Sequence, residues 1–87
     1  MKIDPDAQKE ITNRLRRARG QIDGVITMME SGRSCREVVT QLAAASRALD
    51  RAGYKLMATT MRECLLADDA DRDLTPEELE LLFITLA

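Results

Sequence analysis

The chain has 87 residues, with 13 Lys/Arg against 15 Asp/Glu, two cysteines and no histidine. A chain of that length makes one domain and buries only about 60% of its unfolded surface, so a lone monomer is marginal and self-association is expected. Apolar residues make up 45% of the chain, yet Tyr54 and Phe83 are its only aromatics, a palette of Ala, Leu, Ile, Val and Met that excludes a β-rich core and points to packed helices.

The start, MKIDPDAQKE, has no apolar targeting region, and no uninterrupted apolar run approaches the ~18 residues of a membrane span. A cytoplasmic protein is expected. Residues 1–63 carry 12 Lys/Arg against 8 Asp/Glu, or +4, while residues 64–87 carry Arg72 against 7 acids, or -6. The basic part is also the helical part, and a localised basic face can contact phosphates despite a weak overall charge.

From Ile11 the apolar residues recur as Ile11, Leu15, Ala18, Ile22, Val25 or Ile26, and Met29. Spacing of four and three predicts an amphipathic helix, with Asp4 or Asp6 as N-cap around Pro5 and a stop at Ser31-Gly32. Gly20 and Gly24 within it lower helix propensity but let another helix approach. The second run is Val38, Leu42, Ala45, Leu49, Ala52, Leu56, then Thr59 or Thr60 and Glu63, widened by Val39, Met57 and Met61. Ser34 is positioned to cap it and nothing stops it before Ala67, so it runs about 50 Å at 1.5 Å per residue. That overhangs any partner within the same chain. After the polar break DDADRD, Thr75 as N-cap, Pro76 in the first turn and Glu78 closing a capping box predict a short third helix. Its apolar residues Leu79, Leu82, Phe83 and Leu86 are expected to pack back. The expectation is one all-α domain over residues 1–87, a three-helix chain with a long antiparallel hairpin.

The two cysteines, Cys35 and Cys64, lie 29 residues apart. On an unbroken helix that is about 43 Å, far beyond the ~7 Å between Cα atoms that a disulfide allows. Twenty-nine steps of about 100° return within roughly 20° of the starting direction, so both thiols point to nearly the same side. An antiparallel copy would bring Cys35 of one subunit against Cys64 of another, two shared sites per two-fold dimer. Cys35 sits in a first helical turn beside Arg33 and Arg36, and both the helix terminus and the cations favour a thiolate. Cys64 lies before Asp68 and Asp69. Cys35 therefore reads as the attacking nucleophile and Cys64 as the resolving thiol. The plainer alternative makes both small buried hydrophobes.

The stretch NRLRRARGQIDGVITMMESGRSCREVVTQLAAASRALDRA, with a second cysteine 29 residues after the first, resembles the copper-sensitive operon repressor (CsoR) family. The resemblance runs from about Ile11 to Leu65, with a weaker echo at TPEEL. It implies an all-helical transcription repressor that forms a dimer and then a tetramer, with no cofactor and no enzymatic activity. Copper-sensing members have a Cys, His, Cys ligand set whose histidine falls four residues before the second cysteine, where this chain has Thr60. Nickel and cobalt sensors of the family need several histidines, and formaldehyde sensors pair the first cysteine with a proline at the position of Lys2. The two-cysteine arrangement that remains resembles the persulfide-sensing, sulfurtransferase-repressor (CstR) type. It implies that persulfide or polysulfide links Cys35 to Cys64 of another subunit by a di-, tri- or tetrasulfide. The alternative is copper(I) held by the thiolates of Cys35 and Cys64.

There is no helix-turn-helix, zinc-finger or ribbon signature. Basic residues instead form stripes: Arg14 and Arg17 on the first helix, and Arg47, Arg51 and Lys55 on the second. These five are the candidate contacts to double-stranded operator DNA, and the resemblance matches Arg14 and Arg51 to positions implicated in operator contact. A single such stripe reads first as a solvated face paired with Asp50 or Glu10. Four subunits presenting it together favour DNA.

Overall fold

The computed structural model describes residues 3–68 and 74–87, among which there are three helices and no strand: α1 (Pro5–Glu30), α2 (Cys35–Leu66) and α3 (Pro76–Leu86). Lys2, Asp69 and Arg72, used in the sequence reading, lie outside the described residues.

Local chemistry sets the helix ends. The Asp4 carboxylate accepts hydrogen bonds from the backbone N–H groups of Asp6 and Ala7, both at 3.1 Å, with Pro5 in the first turn. This satisfies donors that have no partner inside the helix. At the other end Gly32 adopts φ +73, Arg33 N–H donates to Met28 C=O at 3.0 Å and Gly32 N–H to Met29 C=O at 3.3 Å. That pair of bonds is a Schellman closure, which needs a residue tolerant of the left-handed region at the glycine position. Ser34 Oγ accepts from Glu37 N–H at 3.3 Å to start α2, and Thr75 Oγ1 accepts from Glu78 N–H at 3.1 Å to start α3.

α1 and α2 form an antiparallel hairpin, and α3 packs back on α2. Two cross-links give the register: Gln41 Nε2 donates to Gln21 C=O at 3.4 Å, and Lys55 Nζ lies 3.6 Å from Glu10 Oε2. The closed seam consists of Ile11, Ala18 and Val25 from α1 with Ala45, Ala52 and Thr59 from α2. Both series repeat every seven residues, the period of helices packed side by side at a shallow angle, and the alanines let the backbones approach closely.

The seam uses only part of each predicted apolar stripe. Leu15, Ile22, Ile26 and Met29 on α1 and Leu42, Leu49 and Leu56 on α2 stay exposed, the last three by 54%, 48% and 40%. Of the four α3 residues expected to pack back, only Leu79 is buried; Leu82, Phe83 and Leu86 remain exposed. Overall extents of 54 × 25 × 14 Å and a radius of gyration of 16.7 Å, against about 12 Å for a compact chain of this length, describe a thin, elongated slab. Among the described residues, its broad faces have no second layer.

The glycines expected to admit a neighbouring helix divide differently. A Cβ at Gly20 would meet nothing within 4 Å, and one at Gly24 would meet only the Gln41 side chain, at 3.4 Å. The tightest approach is at Gly53 on α2, where a Cβ would lie 3.0 Å from Leu86 Cδ1, so the bare backbone at Gly53 makes room for the end of α3.

Candidate functional site

The basic stripes converge on one groove between α1 and α2. Arg14, Arg17 and Gln21 form one wall and Arg47 and Arg51 the other, with Ala44 and Ala48 completing a hollow of about 160 Å³. Helical spacing explains the convergence. Residues 14, 17 and 21 follow one another by three and four, as do 44, 48 and 51, so each set lies along one side of its helix. The antiparallel hairpin then sets the two sides together.

Lys55, the fifth candidate, does not line this groove; it joins the same face through Glu10. The Glu10 carboxylate lies 3.2 Å from Arg14 Nη2 and 3.6 Å from Lys55 Nζ, tying α1 to α2. The hydrogen bond from Arg14, then the charge of Lys55, hold its carboxyl below the ordinary glutamate value of 4.5. All three side chains are partly exposed, so water screens these pairs and they add little to stability. Their significance is that one carboxylate competes for two of the five candidate cations. Among the described residues, two groove atoms have no such partner: Arg14 Nε and Gln21 Oε1 are both buried without a hydrogen bond.

The two cysteines occupy opposite ends of α2 and opposite environments. Cys35 is exposed, the first residue of α2 after its Ser34 cap, in a shallow apolar hollow with Met29, Arg33, Val38 and Val39. One of its flanking cations is already engaged, because Arg33 Nη1 pairs with Glu37 Oε2 at 3.3 Å. The expected positive surroundings of Cys35 are therefore weaker than Arg33 and Arg36 suggest by count.

Cys64 is buried, 3% exposed. Its thiol donates to Leu74 C=O at 3.7 Å, and it lines an apolar hollow of about 280 Å³ with Met61, Leu65, Pro76, Leu79, Glu80 and Phe83. The return of α3 over α2 creates this hollow. Thr60, at the position where the copper sensors have histidine, is half-buried, whereas Thr59 belongs to the closed seam. The reading of both cysteines as buried hydrophobes thus fits Cys64 and fails for Cys35. Because one unbroken helix holds them 29 residues apart, a chain cannot join its own two thiols. Among the described residues of one chain, no group of three or more His, Cys, Asp or Glu could hold a metal ion.

Several neighbours of these sites escaped the sequence reading. Gln21 and the alanine floor were legible in the three- and four-residue spacing from Arg17 and Arg51. Met29 and Met61, apolar stripe residues by their spacing, stand beside Cys35 and Cys64 respectively. Met61 precedes Cys64 by three, the spacing that puts two side chains on one helix face.

Comparison with known proteins gives a consistent picture. The sequence profile of the metal-sensitive transcriptional repressors matches residues 7–85. The chain is 37% identical over 62 residues to the copper-sensing transcriptional repressor CsoR of Mycobacterium ulcerans, covering 71% of this chain and 53% of that protein. It therefore spans about half the length of that curated relative. It is 42% identical over 59 residues to the uncharacterised protein YrkD of Bacillus subtilis, covering 63% of this chain and 94% of YrkD. Among solved structures, the nickel-responsive transcriptional regulator InrS superposes with a TM-score of 0.73 at 34% identity, covering 91% of each chain.

Proposed function

Because the chain belongs to the metal-sensitive transcriptional repressor family, we propose that it is an operator-binding repressor whose DNA is released when persulfide or polysulfide joins Cys35 of one subunit to Cys64 of another. The family is one of transcriptional repressors, not of enzymes. In this reading residues 1–87 act as a single sensor and DNA-binding domain within a homodimer that pairs into a homotetramer. Arg14, Arg17, Arg47, Arg51 and Lys55 supply the phosphate contacts.

The observation that carries the reading is the contrast between the two thiols. Cys35 is open to solvent and Cys64 is enclosed, at opposite ends of one 32-residue helix. An incoming sulfane reaches Cys35 first. Its thiolate attacks the outer sulfur of a persulfide RSSH, forming Cys35–SSH and expelling the thiolate RS⁻. The Cys64 thiolate of another subunit then attacks Cys35 Sγ and expels hydrosulfide, leaving a disulfide. A longer sulfur chain on Cys35 leaves a tri- or tetrasulfide by the same loss of hydrosulfide. The crosslink fixes the spacing of two subunits, and it releases DNA if the arrangement so fixed misaligns their basic grooves. The uncovered faces of α1 and α2 support the assembly this requires.

Treatment of the reduced protein with a polysulfide donor tests the proposal. A covalent dimer on a non-reducing gel, mass increments of sulfur between Cys35 and Cys64, and loss of bound DNA are expected together. Cys35→Ser abolishes all three, whereas Cys64→Ser keeps the persulfide on Cys35 and loses the crosslink.

Copper(I) is the second reading, favoured by the presence of a thioether, Met61, in the Cys64 hollow. Two thiolates and a thioether make a soft ligand set suited to that ion. Tight copper(I) binding that releases DNA, with polysulfide leaving the complex intact, would replace the first reading by the second.

A further inference from the structure

A flat row of cations is sufficient to contact a DNA backbone, yet the α1–α2 face is hollowed. Ala44 and Ala48, one turn apart, leave a depression of about 160 Å³ ringed by Arg14, Arg17, Arg47 and Arg51. Two atoms of that ring are buried and, among the described residues, without a partner, Arg14 Nε and Gln21 Oε1. A buried donor on a charged group without an acceptor is costly, and a side-chain shift that turned Arg14 Nε towards the hollow would let an anion there relieve it. A half-turn of the Gln21 amide exchanges its oxygen for an NH₂, so this wall of the groove can offer a donor in place of an unpaired acceptor.

Charge indicates what kind of anion fits. The four arginines of the groove carry +4, and the adjoining Glu10 carboxylate is offset by Lys55, which pairs with it as Arg14 does. One backbone phosphodiester brings a single negative charge. A nucleoside diphosphate brings about one from its inner phosphoryl group and about 1.5–2 from its terminal one, and inorganic pyrophosphate a similar total, so a diphosphate offsets far more of the groove's charge than a single phosphodiester does. Planar guanidinium groups on two helices also suit an anion with oxygens on several sides, each pairing in a forked fashion.

We propose that the groove is a discrete receptor for a diphosphate group, the unit shared by inorganic pyrophosphate and nucleoside polyphosphates. A bound diphosphate and bound DNA exclude each other, because both use the same four arginines. The exclusion rests on the operator-binding reading; diphosphate binding does not.

The test titrates the full chain, reduced, with pyrophosphate, ADP, AMP and orthophosphate by calorimetry at constant ionic strength. In parallel, each anion competes against a labelled DNA duplex. Pyrophosphate and ADP are expected to bind saturably and displace the duplex at concentrations where matched sodium chloride does not, with AMP and orthophosphate markedly weaker. Ala48→Leu fills the hollow and keeps every charge, so it should lose saturable pyrophosphate binding. If that variant proves misfolded by circular dichroism, Arg17→Gln and Arg47→Gln singly should each weaken pyrophosphate binding about tenfold, the loss of one charged hydrogen-bonding partner. Displacement no greater than that by matched salt, equal binding of AMP and ADP, or full pyrophosphate affinity in a folded Ala48→Leu variant would overturn the receptor. A protein that binds pyrophosphate but no duplex keeps the receptor and loses the operator reading.

Discussion

Leu49→Ala tests whether the apolar face left open on the hairpin is an assembly surface. Leu49 retains 48% of its exposure in the single chain, midway along a row with Leu42 and Leu56. The slab is only 14 Å in its thinnest direction, close to the 10–12 Å diameter of one helix with side chains, so among the described residues no second layer covers this row. Full burial of a leucine is worth ~1.5–3 kcal/mol, and the exposed half therefore offers ~1 kcal/mol to a covering subunit. Two-fold symmetry counts the residue twice, giving ~2 kcal/mol per dimer, or roughly a 30-fold rise in the dissociation constant. Any unfilled cavity at the contact adds to this. Sedimentation across a dilution series reads the change, and circular dichroism checks that helicity is kept. Interchain crosslinking by polysulfide should decline at the same dilution. An unchanged dissociation constant, or a wild-type chain that is a stable monomer at micromolar concentration, would refute the reasoning and with it the shared Cys35–Cys64 site.

Arg51→Ala should weaken duplex binding about tenfold and reduce the slope of affinity against salt by about one phosphate contact. Arg14→Ala should cost less, because Arg14 already shares Glu10; electrophoretic mobility shifts at two salt concentrations read both, and equal wild-type affinity in the two variants would move the DNA face elsewhere. Thr60→His places an imidazole one turn before Cys64 and should raise copper(I) affinity, measured by competition with a chromogenic chelator; no gain would mean that the position faces away from the thiol in the assembled protein. The Glu10 carboxyl, held low by Arg14 and Lys55, ties α1 to α2 fully above the ordinary glutamate range and loses that tie as pH falls through its lower folded value. In Arg14→Ala its carbon-13 resonance should titrate at higher pH than in wild type, and an unchanged titration would show that Arg14 is not the principal partner.

What the sequence determines by itself here is local. Asp4, Ser34 and Thr75 cap helices because a side-chain oxygen reaches N–H groups two or three residues away, and Gly32 ends α1 because its own φ is left-handed. The positions of Cys35 and Cys64 at the two ends of one helix follow equally from counting 29 steps along it. Only the tertiary structure decides which apolar seam closes. Ile11, Ala18 and Val25 and their neighbours Leu15, Ile22 and Met29 have the same period, and the choice depends on how closely two backbones can approach through alanine. The difference between the thiols is also tertiary, because Cys64 is covered by α3, which returns from ten or more residues downstream. Likewise, the arginines become a groove only when the hairpin sets α1 against α2 over Ala44 and Ala48. Periodicity reports the direction of a side chain around its own helix axis; which face is then covered depends on contacts between residues far apart in the chain, and no local pattern encodes that pairing.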